Sequence, residues 1–458
     1  MKLIMRSRIQ RTVFVCLVLA ALRVTAQPPP PPVPSGRALL ISDIHLDPLA
    51  DPTIVKQLIA APATQWTAIF QSSKRQSYSS YGADPNYPLV SSALKEAATQ
   101  GRYDYVVFTG DALRHDFSKA FIAAGGTSQQ FPAFATKAEV FVVRTLQQTF
   151  GAPVLAALGN NDTTCEDYQI PLNSPFLAAT ADELTVLAKS PEAKATFRLG
   201  GFFSVPHPAV ANKDIVVLNS ILWSASSTSC TPNSGDPGAA ELDWLSWKLY
   251  AAKLQHHTVT LVMHIPPGID PFQSSQSGNC QNAVPLWSSQ YAAQFAALMQ
   301  TYSDIVQLTF TGHTHMDDFR VAAGGTSSLP LRITPAVSPK FGNNPGFSIL
   351  SYDLKTGAVS DITTFYLPLS SPSPQWSSEY QFSSTYGVTG FNAASLATVT
   401  AGIQSGGAAQ QTFENNYAVS APSPINSSNV AFFSCAQTNF NGTDYSNCVC
   451  GANSGRAK

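Results

Sequence analysis

Seven side chains able to hold metal ions recur along this 458-residue chain, each just after a short apolar run. They are Asp43 and His45 in Ser42-Asp43-Ile44-His45, Asp111 in Thr109-Gly110-Asp111, and Asn160 in Gly159-Asn160-Asn161-Asp162. His264 follows in His264-Ile265-Pro266-Pro267, and His313 and His315 close the set in Gly312-His313-Thr314-His315. One carboxylate with two oxygens can bridge two cations, and Asp111 is the candidate for that role. Asp43, His45 and one histidine would complete one ion; Asn160 and two histidines would complete the other. Two cations roughly 3.5–4 Å apart clamp a phosphoryl group and lower the pKa of water, so that hydroxide attacks phosphorus near neutral pH. The mixed imidazole, carboxylate and amide set suits Zn better than a Ca or Mg cage, with Fe or Mn as alternatives.

The elements that must position these residues are legible from the runs themselves. Residues 38–41, 103–108, 153–158, 214–218, 258–263 and 305–310 have the length and apolar character of buried strands. Apolar positions at three-to-four spacing predict helices over 89–100, 137–150, 240–255 and 290–302. Strands alternating with helices predict an α/β layered fold, with its site built from loops at the carboxyl ends of strands. Runs at 331–334, 347–352 and 362–367 have no clear helices between them and predict antiparallel additions to a mixed sheet. After Leu369, Ser370-Ser371-Pro372-Ser373-Pro374 reads as a linker-like break. The tail beyond it, with weak helical patterns at 380–386 and 394–403, reads as a small, mostly helical appendage over 370–458.

Composition narrows the class. A basic start, an apolar stretch and Val24-Thr25-Ala26 predict a signal peptide over 1–26, followed by a Pro-rich leader over 27–36. The apolar stretch falls short of the ~20 residues that span a bilayer. The expectation is therefore a secreted, extracytoplasmic protein with no membrane span in the mature chain. Of seven cysteines, six lie beyond the predicted signal, an even count that suits disulfides outside the cytoplasm. Cys230 and Cys280 lie in two long loops near the expected mouth of the site, and are paired here as a clamp across it. A net charge of −1 with only 12% charged residues argues against a basic nucleic-acid surface. A monomer is expected, and Asn426-Ser427-Ser428 and Asn441-Gly442-Thr443 are glycosylation sequons.

In order and type, Asp43-Ile44-His45, Gly110-Asp111, Gly159-Asn160, His264 and Gly312-His313-Thr314-His315 resemble the calcineurin-like metallophosphoesterases. Gly82-Ala83-Asp84-Pro85, Arg114-His115-Asp116, His313-Thr314-His315-Met316-Asp317-Asp318-Phe319 and Asn344-Pro345-Gly346-Phe347 resemble their acid sphingomyelinase-like and endopolyphosphatase-like members. The resemblance runs from about Arg37 to the C-terminus and implies a four-layer α/β/β/α sandwich over 37–369. It also implies that Asp43, His45, Asp111 and His315 hold one ion, and Asp111, Asn160, His264 and His313 the other. Two departures stand out. Ala83 replaces a common cysteine, and Asn161 replaces the histidine of the usual Gly-Asn-His motif. Asn161 can hydrogen-bond a phosphoryl oxygen but cannot act as an acid. His115, four residues past Asp111, is then the expected general acid, with Asp116 as its orienting partner.

The function expected is a secreted binuclear-metal phosphoesterase acting on phosphodiester or phosphoanhydride bonds of a small-molecule or polymeric substrate. An endopolyphosphatase is the alternative, suggested by Asn161 and Arg114-His115-Asp116. A non-catalytic metal-dependent phosphoester-binding protein is a reading of a different class. Sphingomyelin is the less favoured substrate. Members of the group that act on membrane lipid carry a saposin-like module, and the expected leader leaves little room for one.

Overall fold

The computed structural model describes residues 35–232, 235–322 and 329–456. The expected signal peptide and most of the Pro-rich leader lie outside these residues. Ser35 and Gly36, assigned to the leader by sequence, begin the first strand instead. Twelve strands follow in chain order: β1 (Ser35–Ile41), β2 (Tyr105–Phe108), β3 (Val154–Ala156), β4 (Phe203–Pro206), β5 (Lys213–Val217), β6 (Thr258–Val262), β7 (Val306–Thr311), β8 (Asp318–Val321), β9 (Pro330–Ile333), β10 (Gly346–Asp353), β11 (Val359–Tyr366) and β12 (Ser377–Gln381). They form two six-stranded sheets, ordered β12-β11-β10-β1-β2-β3 and β4-β5-β6-β7-β9-β8.

β1, β2 and β3 run parallel, as do β5, β6, β7 and β9, so the central strands share a direction and their carboxyl ends share an edge. β10 and β11 extend the first sheet antiparallel, as the lack of intervening helices predicted, whereas β9, expected as an antiparallel addition, runs parallel to β7 and is antiparallel only to β8. The central strands are buried on both faces, which explains their unbroken apolar runs. Helices Tyr87–Thr99, Phe131–Phe150, Pro237–Leu254 and Ser289–Thr301 match the four amphipathic patterns. Two begin at side-chain caps: Asn86 accepts from the Leu89 amide and Asp236 from the Ala239 amide. Phe131–Phe150 ends at Gly151, whose φ of 61° suits a left-handed cap.

The two sheets meet at the edge where the strands end. Ser42, just past β1, pairs in parallel with Ala336, just past β9. A buried polar knot bridges them further in. Arg332 of β9 donates to both Asp317 oxygens, to Ser348 of β10 (3.2 Å) and to Thr364 of β11 (3.1 Å). Tyr380 of β12 donates to Asp317 at 2.8 Å. Asp317 lies two residues past His315, so this knot fixes the loop that carries His313 and His315.

The tail departs from the expected break. β12 lies beyond residues 370–374 yet pairs with β11, so the first sheet continues past the linker-like stretch, and only residues 382–386 of the 380–386 pattern are helical. Helices Ala393–Ser405, Ala408–Tyr417, Val430–Ala436 and Gly442–Arg456 follow. Three disulfides join Cys165 to Cys230, Cys280 to Cys450 and Cys435 to Cys448. The expected Cys230–Cys280 clamp is therefore wrong. The two long loops do meet, through the Ser224–Trp287 bridge, but each cysteine is bonded to a different segment outside the pair. Cys230 meets the loop after Asn160, and Cys280 meets the last helix.

Candidate metal centre

All seven expected ligands converge on the edge where the sheets meet. The Asp43 amide donates to Gly110 O (3.0 Å) and the His45 amide to Asp111 O (2.9 Å), which locks the first two motifs together. Gly312 is required at this junction, because a Cβ there would collide with Ser42, Asp43 and Thr109. Five of the seven, Asp43, His45, Asp111, His313 and His315, have φ between 42° and 75°. Such backbone costs on the order of 1–3 kcal/mol per non-glycine residue and concentrates at functional sites. These left-handed turns follow β1, β2 and β7, and not β3 or β6, which lead to Asn160 and His264.

The imidazoles are aimed by backbone carbonyls. His45 Nδ1 donates to Leu113 O and His264 Nδ1 to Thr109 O, both at 2.8 Å, which leaves each Nε2 directed at the centre. Asp111 Oδ2 lies between them, 3.4 Å from His45 Nε2 and 3.2 Å from His264 Nε2. On one side of Asp111, His45 Nε2 is 3.1 Å from His315 Nε2, and Asp43 Oδ1 is 3.5 Å from His315 Nε2. On the other, Asn160 Oδ1 lies 3.1 Å from His264 Nε2 and 2.9 Å from His313 Nδ1. The paired histidines of Gly-His-Thr-His thus fall on opposite sides of the carboxylate.

The field at the centre asks for positive charge on both sides. Burial disfavours charge on His45, yet Asp111, Asp43 and Asp84 raise its pKa to about 9. Burial opposes charge on His264 as well, and Asp111 and Asp43 raise it to about 9. Burial and the charge on His264 hold His313 down to about 4; burial, against the pull of Asp43, leaves His315 at about 3. Asp43 stays ionised despite burial, lowered to about 2 by His315, His45 and His264. Two sets of N and O donors flank one shared carboxylate in a buried pocket, and this chemistry fits a pair of divalent ions.

The sequence-expected acid and its surroundings are partly rearranged. His115 stacks on His45, with ring centroids 3.9 Å apart, so it stands beside the centre. Its Nδ1 is 2.8 Å from Asp84 Oδ1, leaving Nε2 free. Asp116, the expected partner, instead points to solvent and pairs with Lys119. The partner is Asp84, 31 residues upstream, in the Gly82-Ala83-Asp84-Pro85 segment that carries part of the family resemblance. Asn161 is buried beside Asp111, and its side-chain Oδ1 has no hydrogen-bond partner. Its backbone amide donates to Asp111 Oδ1 (2.8 Å) and its side-chain amide to Asp111 Oδ2 (2.9 Å). Asp162 accepts from the amides of Asp111, Ala112, Leu113 and Gly159, tying two ligand loops together. Phe341, absent from the sequence reading, packs edge-on against His315 (4.6 Å) and His115 (5.6 Å) while 56% exposed.

Comparison with known proteins identifies the family. Residues 36–317 match the calcineurin-like phosphoesterase family model, and residues 329–454 match the acid sphingomyelin phosphodiesterase C-terminal region. The chain belongs to the calcineurin-like phosphoesterase family. It is a metal-dependent phosphoester hydrolase, and its fold implies two divalent ions. Sphingomyelinase phosphodiesterase D of Dictyostelium discoideum is 26% identical over 68% of this chain and 68% of its own. Cyclic GMP-AMP phosphodiesterase SMPDL3A of Homo sapiens is 27% identical over 80% of this chain and 79% of its own. Among solved structures, a dimetal phosphatase from Danio rerio is similar at 12% identity, with a TM-score of 0.42, covering 72% of this chain and 95% of that one.

Proposed function

We propose that the chain is a secreted phosphodiesterase in which Asp43, His45, Asp111 and His315 hold one ion and Asp111, Asn160, His264 and His313 the other. The observation that carries this reading is Asp111 Oδ2, seated between His45 Nε2 and His264 Nε2 with a separate donor set on each side. Zn is the favoured metal for this donor set, with Fe or Mn as alternatives. When bound, such ions neutralise phosphoryl charge and lower the pKa of attacking water.

The chain's own groups supply the rest. Asp111 keeps the two halves of the site in register, helped by the two amides of Asn161. His115 donates the Nε2 proton to the departing oxygen, and Asp84 on Nδ1 fixes its tautomer and aim. Asn161 serves as a support for Asp111 and not as the acid. The preferred bonds are phosphodiesters or phosphoanhydrides of nucleotide type, in keeping with the activity for which the human relative is named. Sphingomyelin, named in the Dictyostelium relative, is the less favoured substrate. A polyphosphate substrate gains little from Arg114, whose guanidinium is engaged by Asp47 (3.2 Å) and lies 3.9 Å from Asp84.

The three disulfides support an oxidising compartment. No helix among the described residues is long and apolar enough to cross a membrane. A monomer whose catalytic sandwich runs from β1 to β12, followed by the C-terminal helices, completes the reading. The test compares metal-loaded protein on bis-p-nitrophenyl phosphate, p-nitrophenyl phosphate, ATP, polyphosphate and sphingomyelin. The diester and the anhydride should turn over fastest; two bound ions with no turnover of any substrate would favour a binding protein instead.

A further inference from the structure

We propose that Tyr168 is a positioning residue for the ion on the His264 side: its ring holds the imidazole of His313, and the Cys165–Cys230 disulfide holds the loop that carries it. The inference rests on the two-ion reading above and adds to it a residue outside the ligand set. Of the four ligand histidines, three have their outer nitrogen fixed by the backbone. Nδ1 of His45 faces Leu113 O, Nδ1 of His264 faces Thr109 O, and Nδ1 of His315 faces Ser338 O at 3.4 Å, so each presents Nε2 to the centre. His313 is turned the other way. Its Nδ1 faces Asn160 Oδ1, and among the described residues no backbone carbonyl hydrogen-bonds its ring.

Other rings touch it instead. Tyr168 packs against His313 at right angles, with centroids 6.1 Å apart and ring planes at 86°, and His264 meets it at 5.1 Å. Perpendicular aromatic pairs at such distances attract each other. His264 is itself a candidate ligand, which leaves Tyr168 as the supporting ring from outside the ligand set. An imidazole whose outer edge is unsupported turns more freely, and a ligand that is poorly oriented holds its ion less tightly.

The loop that carries Tyr168 is built as a mount. Tyr168 N donates to Asn160 O (2.9 Å), which ties the supporting residue to the backbone of another ligand of the same ion. Its φ of 64° lies in the left-handed region, which a bulky residue keeps only where its surroundings enforce it. Those surroundings are the loop after β5. Thr228 N donates to Tyr168 O (3.4 Å), Gln169 Nε2 to Thr228 Oγ1 (3.0 Å) and Leu172 N to Thr231 Oγ1 (3.0 Å). Cys165–Cys230 joins the same two loops covalently. Core packing alone would give Tyr168 no preference between the ions; support of His313 ties it to one.

The test is Zn binding to metal-stripped full-length protein, measured by competition with a chelator and by anomalous occupancy at each position in the crystal. Tyr168→Ala should weaken the ion beside His264, Asn160 and His313 by about 10- to 100-fold, the range for losing a group that orients a ligand. The ion beside His45 and His315 should be little changed. Tyr168→Phe should keep both ions, because the ring and not the hydroxyl makes the contact. Cys165→Ser combined with Cys230→Ser should weaken the same ion as Tyr168→Ala, by less. Should Tyr168→Ala not fold, Tyr168→Leu fills the space without an aromatic ring and should show the same one-sided loss. Equal weakening of both ions, weakening of neither, or a loss in Tyr168→Phe as large as that in Tyr168→Ala would overturn the inference. Two ions in the wild type with Tyr168→Ala unchanged would sink the inference alone; a single ion in the wild type would sink the two-ion reading and the inference together.

Discussion

The site has two walls built on different principles. The metal wall consists of strand ends: six of its seven candidate ligands are buried, with the exception of half-buried His313, and backbone carbonyls aim His45 and His264. The opposite wall, with His115, Asp84 and Phe341, is assembled from loops, and the side chain of His115 keeps 19% exposure. A buried, over-determined wall suits groups that hold charge in one place. A half-open wall suits groups that must meet a substrate and pass on a proton.

Substitutions can break or sharpen that contrast. Asp111→Ala removes the carboxylate shared by both halves, so hydrolysis should fall to background and metal content should drop below two ions per chain. His115→Gln should lower kcat by about 10²- to 10⁴-fold, the usual range for a lost acid, while leaving both ions in place. Near wild-type turnover in that variant would remove His115 from the proton-delivering role. Arg332→Met leaves Asp317 buried without its partner and should destabilise the fold by about 3–5 kcal/mol, read from chemical denaturation. A neutral result would show that the knot does not hold the His313–His315 loop. Asp84→Asn should lower kcat roughly tenfold, because an amide still accepts from Nδ1 without the carboxylate charge. Asn161→Ala should have the smallest effect, about 1 kcal/mol of stability for one lost hydrogen bond. A loss of kcat as large as that of His115→Gln would return Asn161 to the chemistry.

The same contrast explains what the sequence made legible. Each metal motif is local: an apolar run buried on both faces, then one or two ligands at its end, as in residues 38–45 or 305–315. Periodicity locates the strand, and chain order supplies the rest. The second wall is not local. Asp84 reaches His115 across 31 residues, and Phe341 reaches it from beyond β9. Asp116, adjacent in sequence, was the natural partner to expect, but its backbone turns it outward with φ of 49°. The disulfides failed for a related reason. The loops bearing Cys230 and Cys280 do touch, yet the direction in which each cysteine points depends on the loop's own path. β12 was missed because five short, mostly polar residues on a sheet edge carry little periodic signal.

The central claim is that Asp111 divides Gly-His-Thr-His between two ions. Anomalous diffraction from a Zn-loaded crystal, collected at the metal edge, tests it directly. Two peaks should flank Asp111 Oδ2, one beside His45 and His315, the other beside His264, Asn160 and His313. A single peak, or one ion held by both His313 and His315, would contradict the account.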